Sequence, residues 1–148
     1  MELMSGEQAL LYRALRWCGW DVRQPVDTCF GAHHDLTEAT VQQQLEEPQA
    51  VAAWRVAMEC NTLARAREKK IHNFVGGPGP LRSEEYPYGL PKLETQDPKG
   101  AKKVRLANAI INVMSVAALC EKAGGSACVL ENPKNSYFWI IDSILRLS

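Results

Sequence analysis

Gly6, Asp27, Cys60 and Glu131 are the residues whose types and places in the sequence best suit chemistry. Gly6 sits in the first turn, Asp27 and Glu131 close stretches that read as strands, and Cys60 follows an apolar run. A turn glycine lets backbone approach a ligand, and the helix after it presents free amides there. An acid about twenty residues further on is placed to accept hydrogen bonds from ribose hydroxyls. In open α/β sheets, ligands lie at the carboxyl ends of the strands. Each signal is weak alone, and a lone Gly6 reads as a plain turn residue. Their order is what points to a nucleotide-like ligand.

Those positions require elements to hold them. Glu2-Leu3-Met4 reads as a short strand and Ser5-Gly6 as a turn. Ala9, Leu10, Leu11, Ala14, Leu15 and Trp17 recur at helical spacing over about residues 7–17, and Gly19 stops that helix. A strand over 21–26 then ends at Asp27, giving a βαβ opening. Thr37 is placed to cap a polar helix running to about Leu45. Residues 50–58 suit a strand or a helix, and 61–70 predict a helix with a basic end. Residues 72–100 are rich in Gly and Pro and read as one long loop. A long helix follows over 101–123, then a buried strand over 127–130 and a last helix over 136–147. The fold expected is α/β, one domain over residues 1–148.

Composition narrows the class. The 148 residues carry 17 Lys and Arg against 17 Asp and Glu, and 46% are hydrophobic. That content excludes overall disorder, and zero net charge argues against bulk electrostatic binding to nucleic acid or anionic membrane. The longest uncharged apolar run, 106–119, falls short of the ~20 residues of a membrane span. Five cysteines without a CxxC pair, in a chain with no export signal, predict thiols in a reducing, intracellular compartment. Cys18, Cys120 and Cys128 read as core.

Five short stretches together resemble the cytosine-5 DNA methyltransferase family. Glu2-Leu3-Met4-Ser5-Gly6-Glu7 is similar to its Asp-Leu-Phe-x-Gly-x-Gly turn for S-adenosylmethionine. The stretch from Trp20 to Asp27 resembles its second strand, whose terminal acid holds the cofactor ribose. His34-Asp35-Leu36-Thr37 resembles the segment whose aspartate contacts adenine. Glu59-Cys60-Asn61-Thr62 sits where the family has its Pro-Cys nucleophile, and Glu131-Asn132-Pro133 resembles the Glu-Asn-Val motif. The sequence departs from the family at Gln8 and Ala9, where small residues are wanted, and at Glu59, which replaces the proline.

The resemblance implies a three-layer Rossmann-like methyltransferase domain, short or incomplete, that binds S-adenosylmethionine through Ser5, Gly6, Asp27 and Asp35. It implies Cys60 as the nucleophile that adds to cytosine C6 and Glu131 as the acid that activates the base, which is flipped from its stack. Arg65 and Arg67 would face phosphates, and Lys102 and Lys103 are the second phosphate candidates. The family's later strands, target-recognition region and basic cleft are missing, so DNA would be held weakly unless a second domain or chain supplies that cleft. Two other readings stand beside this one: a catalytically inactive remnant of the fold acting as a binding module, and an α/β domain that takes another nucleotide through Gly6 and Asp27. Cys29, His33 and His34 lack a fourth ligand at finger-like spacing, and packing roles are expected there rather than metal.

Overall fold

The structure, a computed structural model, describes residues 1–46, 52–69 and 78–147. In chain order its regular elements are β1 (Glu2–Leu3), α1 (Leu10–Trp17), α2 (Ala39–Glu46), β2 (Ala53–Ala57), α3 (Leu93–Gln96), α4 (Pro98–Ala123), β3 (Ala127–Glu131) and α5 (Asp142–Leu145). Four short 3-10 turns lie between them. Helices and strands are mixed around a parallel sheet of order β1-β2-β3, an α/β arrangement. The chain forms two compact units, Met1–Met58 with Asn112–Glu131 and Glu59–Ile111 with Asn132–Ser148.

The first unit contains the sheet. Leu3, Val56 and Leu130 share one row across it, and Glu2, Arg55 and Val129 share the next. Successive residues of a strand face opposite sides, so the sheet has an apolar face around Leu3 and Val56 and a face bearing charges. The apolar side chains Leu3, Trp54, Val56, Leu36, Val41 and Met114 are all buried. Within the ambiguous run over 50–58, Ala53–Ala57 is the central strand of the three.

The opening is more irregular than expected. Met4 takes a φ of 57° and ends β1 after two residues, and α1 begins only at Leu10. Gly19, at φ 82°, closes α1 as its residue pattern predicts: its amide bonds Arg16 O at 3.0 Å and that of Trp20 bonds Leu15 O at 3.1 Å. The expected strand over 21–26 reduces to one parallel bridge, Leu3 to Val26. Pro25 lacks an amide to extend the ladder. Asp35, not Thr37, is the acceptor before α2, because the Thr37 hydroxyl donates to Asp35 Oδ1 at 2.7 Å.

The second unit is built on loops. The helix expected over 61–70 is absent from its described part, which holds a turn, a bridge from Ala64 to Ser136 and a 3-10 turn over Arg65–Glu68. Long-range bonds override the local pattern there, since Leu63 O accepts the Tyr137 amide at 2.9 Å. Ser136–Leu147 likewise splits into a 3-10 turn and the short α5. Helix α4 starts at Pro98, three residues earlier than expected. Asp97 Oδ1 caps it by accepting the Gly100 amide at 2.9 Å, and proline suits the first helical position. A Cβ on Gly100 would press on the Asp97 carboxylate and on Leu81 Cδ2 at 2.6 Å, so a larger residue would have to displace the cap or a buried leucine.

The units differ in charge. The first carries 5 Lys and Arg against 10 Asp and Glu, and the second 12 against 7. Zero net charge is therefore the sum of a −5 unit and a +5 unit, interleaved along the chain and invisible when it is cut into halves. The exclusion of nucleic acid on net charge does not extend to the second unit.

Candidate functional site

In the first unit the candidate site lies at the carboxyl ends of β1 and of the Val26 bridge. Gly6 follows β1 with φ 70°, a conformation glycine adopts without cost. Its amide donates to Asp27 Oδ2 at 2.8 Å, and the Cys29 amide donates to Asp27 Oδ1 at 3.0 Å. Two of the residues picked from the sequence are thus in direct contact across 21 positions. Burial opposes ionisation of Asp27, but the amides of Cys29 and Gly6, with hydrogen bonds from the Cys29 and Thr28 side chains, outweigh it and hold the carboxyl below its ordinary value. A carboxylate offers about four acceptor sites; the two backbone amides take two, and ligand hydroxyls would have to displace the Cys29 and Thr28 side chains from the others.

The surroundings leave room. Nothing lies within 4 Å of where a Cβ on Gly6 would sit. Ser5 is half-buried and its hydroxyl donates to Gly6 O at 3.2 Å. Gln8, a departure from the family pattern, is exposed, and Ala9 is buried with φ 42° as the residue before α1. Asp35 Oδ1 accepts the Thr37 amide at 2.9 Å as well as its hydroxyl, which lowers its carboxyl too. Both expected cofactor acids are therefore ionised at neutral pH. Partial desolvation and the Asp27 carboxylate push the Cys29 thiol up. The His33 and His34 rings are tilted by 49° with centres 4.3 Å apart, and among the described residues no group of three ligating side chains could hold a metal ion.

Glu131 ends β3 and is bonded to Arg55, whose guanidinium also holds Glu2. This makes a ladder across the charged face: Glu2 at 5% side-chain exposure, Arg55 at 29% and Glu131 at 61%. Glu2 also caps α1, accepting the Tyr12 amide at 3.2 Å. Arg55 was not singled out in the sequence, although a lone cation between apolar neighbours in a run open to a strand reading is a signal for such a pair.

Cys60 belongs to the second unit. It is exposed and opens a turn in which its carbonyl accepts the Leu63 and Ala64 amides at 3.0 and 2.8 Å. Glu59 accepts from Asn61 Nδ2 at 2.9 Å. Beneath the turn, Thr62 and Leu63 are buried, and Arg82 binds Thr62. Arg82 is 1% exposed; its guanidinium donates to Pro87 O at 2.5 Å, Asn108 Oδ1 at 2.8 Å and Thr62 Oγ1 at 3.2 Å. No carboxylate faces it among the described residues. Burial lowers Arg82 to about 10, which leaves it charged at neutral pH. Asn108 Nδ2 in turn donates to Tyr88 O at 2.8 Å, so the Pro-rich segment is fastened at two carbonyls. The Gly- and Pro-rich composition of 72–100 predicts one loop and carries no signal for Arg82; the described part, 78–100, is pinned and contains α3.

The cations expected at phosphates divide into two kinds. Arg65 bonds Glu84 at 2.6 Å and lies 4.8 Å over the Tyr137 ring, while Arg67 Nε donates to Gly79 O at 3.1 Å. Both arginines are engaged within the unit. Burial and then the Glu68 carboxylate, to which its hydroxyl donates, push Tyr137 up to about 12. Lys102 and Lys103 are exposed on α4 and have no ion-pair partner among the described residues. The expectation of buried thiols fails at Cys18, which is exposed, and Cys128 is half-buried; the Cys120 side chain lies outside the described residues.

No family model, curated protein or solved structure matches the chain. No helix among the described residues is long and apolar enough to cross a membrane.

Proposed function

We propose that the chain is an S-adenosylmethionine-binding domain of the cytosine-5 DNA methyltransferase kind, short of the full Rossmann-like fold. The observation that carries this reading is the Gly6–Asp27 hydrogen bond. It joins the turn after the first strand to the acid after the second segment of the sheet. The strand order supports it: β1 lies between the Val26 segment and β2. The chain leaves the sheet's middle in opposite directions there, and such a switch point opens a ligand crevice at the carboxyl ends. An adenosine cofactor would place ribose hydroxyls on Asp27 and the adenine amino group on Asp35. Bound there, it supplies a methyl group. Cys60 is the nucleophile and Glu131 the base-activating acid on the same reading, and Lys102 and Lys103 are its phosphate contacts.

A non-catalytic form of the module has one observation in its favour: Arg55 already holds the Glu131 carboxylate. Two measurements separate the readings. Calorimetric titration of the full chain with S-adenosylmethionine is expected to give a binding heat that Asp27→Ala abolishes; no heat at millimolar ligand overturns the proposal. A 5-fluorocytosine oligonucleotide is then expected to form a covalent adduct that Cys60→Ser removes. Cofactor binding without any adduct leaves the binding module.

A further inference from the structure

We infer that the outer face of α1, with the cleft along its inner edge, is a docking site for an acidic peptide segment of a partner protein carrying one bulky apolar anchor. Helix α1 is apolar on two sides. Leu11 and Leu15 line the cleft beside the sheet, Leu11 still 38% exposed, while Leu10, Ala14 and Trp17 follow the i, i+4, i+7 spacing of a separate stripe. That stripe faces outward: Leu10 is 66% exposed, Trp17 92%, and Trp20 just beyond the helix 66%. Exposed apolar residues standing singly need no explanation, but Leu10 and Trp17 stand about 10 Å apart on one helix stripe, with exposed Trp20 three residues further on in the sequence.

The cleft supplies the anchor pocket. It has a volume of about 280 Å³ and is lined by Leu11, Leu15, Val22 and Val129, with the Glu2–Arg55 ion pair also in its wall. A cavity of about 150 Å³ accommodates benzene, so one large aromatic or aliphatic side chain fits. Val129 is 55% exposed beside it, which leaves the cleft open on the β3 side.

Charge selects the occupant. From Gln8 to Trp20 there are two arginines, Arg13 and Arg16, both exposed, and no acid. Glu7 and Asp21 bracket the ridge, and Arg23 lies just past it. This is the basic spot of a unit whose net charge is −5. Tryptophan and arginine are the residues most enriched at the energetic centres of interfaces. A second copy of the chain fits worse. Arg13 and Arg16 lie on one flank of the stripe, and a two-fold axis through Ala14 would set that flank against itself. An acidic segment meets the same flank with opposite charge.

The test uses the full chain without cofactor, so its outcome is independent of the methyltransferase reading. Selection from a random short-peptide display library is expected to enrich Asp- and Glu-rich peptides with one aromatic or long aliphatic residue. Their binding, read by fluorescence anisotropy, should weaken at least about ten-fold in Trp17→Ala and in R13E/R16E. Replacing the peptide acids with lysine should restore binding to R13E/R16E. Trp17 is nearly fully exposed, so thermal unfolding should not move. Four results overturn the inference: no enriched peptide; enrichment without acidic bias; binding unchanged in Trp17→Ala; or a patch that instead mediates sedimentation with phosphatidylserine vesicles or self-association, either lost in Trp17→Ala.

Discussion

The two units bury a charge in opposite ways. In the first, the Glu2 carboxylate at 5% exposure is matched by a cation, Arg55, which relays it to the exposed Glu131. In the second, the Arg82 guanidinium at 1% exposure is spread over neutral oxygens from Thr62, Pro87 and Asn108. The first solution concentrates the interaction on one cation, Arg55, on the middle strand of the sheet. The second shares it among three segments, tying the loops at Thr62 and Pro87 to helix α4 at Asn108. The candidate sites follow the same division: the one beside the sheet is set by backbone amides on Asp27, whereas the Cys60 turn is set from below by a buried side chain.

The sharpest way to break this contrast is at Arg55. Arg55→Met leaves a buried Glu2 without its cation, and a loss of about 3–5 kcal/mol in urea unfolding is expected. Glu2→Met with Arg55→Met removes both charges and should recover most of that loss, because an apolar pair of similar volume often replaces a buried ion pair. Failure of the double variant to recover would mean that the Glu2 cap on the Tyr12 amide, not the ion pair, is what matters.

Arg82 should respond differently. Arg82→Met leaves several buried acceptors dry and is expected to cost about 3 kcal/mol. Thr62→Val removes only one acceptor and should cost about 1 kcal/mol. A Thr62→Val loss equal to that of Arg82→Met would show that the load is not shared. Iodoacetamide labelling of Cys60 in folded Thr62→Val then reports whether the turn above has moved.

Asp27 comes next in size. Its oxygens are partly exposed, so Asp27→Asn should cost about 1 kcal/mol at neutral pH after screening. The sign of its pH dependence follows from its lowered carboxyl. The stabilisation is fully present above the unfolded value of about 3.9 and is lost as pH falls through the lower folded value. Acid unfolding of the parent chain should therefore steepen below about pH 4, and Asp27→Asn should flatten that limb. An unchanged acid limb would remove the two amide bonds from the account.

The two regions were also unequally legible. Gly6, Asp27 and the end of α1 at Gly19 could be read because a left-handed turn or a strand-end acid calls for particular residue types. The central strand was ambiguous until its neighbours on both sides were known, since an Ala-rich apolar run carries no period. The second unit was misread wherever distant bonds decide. The 61–70 segment has helical composition, yet Leu63 O is claimed by Ser136 and Tyr137, 73 and 74 residues away. Nothing local marks Arg82 as buried, because its partners come from three separate segments. Gly6 and Asp27 are marked by residue type; the scaffold under Cys60 is not.

The smallest effect distinguishes structure from chemistry at Glu131. It shares Arg55 with Glu2, but at 61% exposure its ion pair is the kind that contributes little. Glu131→Gln should therefore shift unfolding by less than about 0.5 kcal/mol, an order below Arg55→Met. That near-neutrality makes it a clean probe. If the carboxyl activates a base, Glu131→Gln should slow formation of the Cys60 adduct with 5-fluorocytosine while leaving stability and S-adenosylmethionine affinity unchanged. If the adduct forms at the parental rate, Glu131 is only the solvent end of the ladder. A large stability loss would instead mean that the ladder works as a triad, and that Glu2 and Glu131 are not separable.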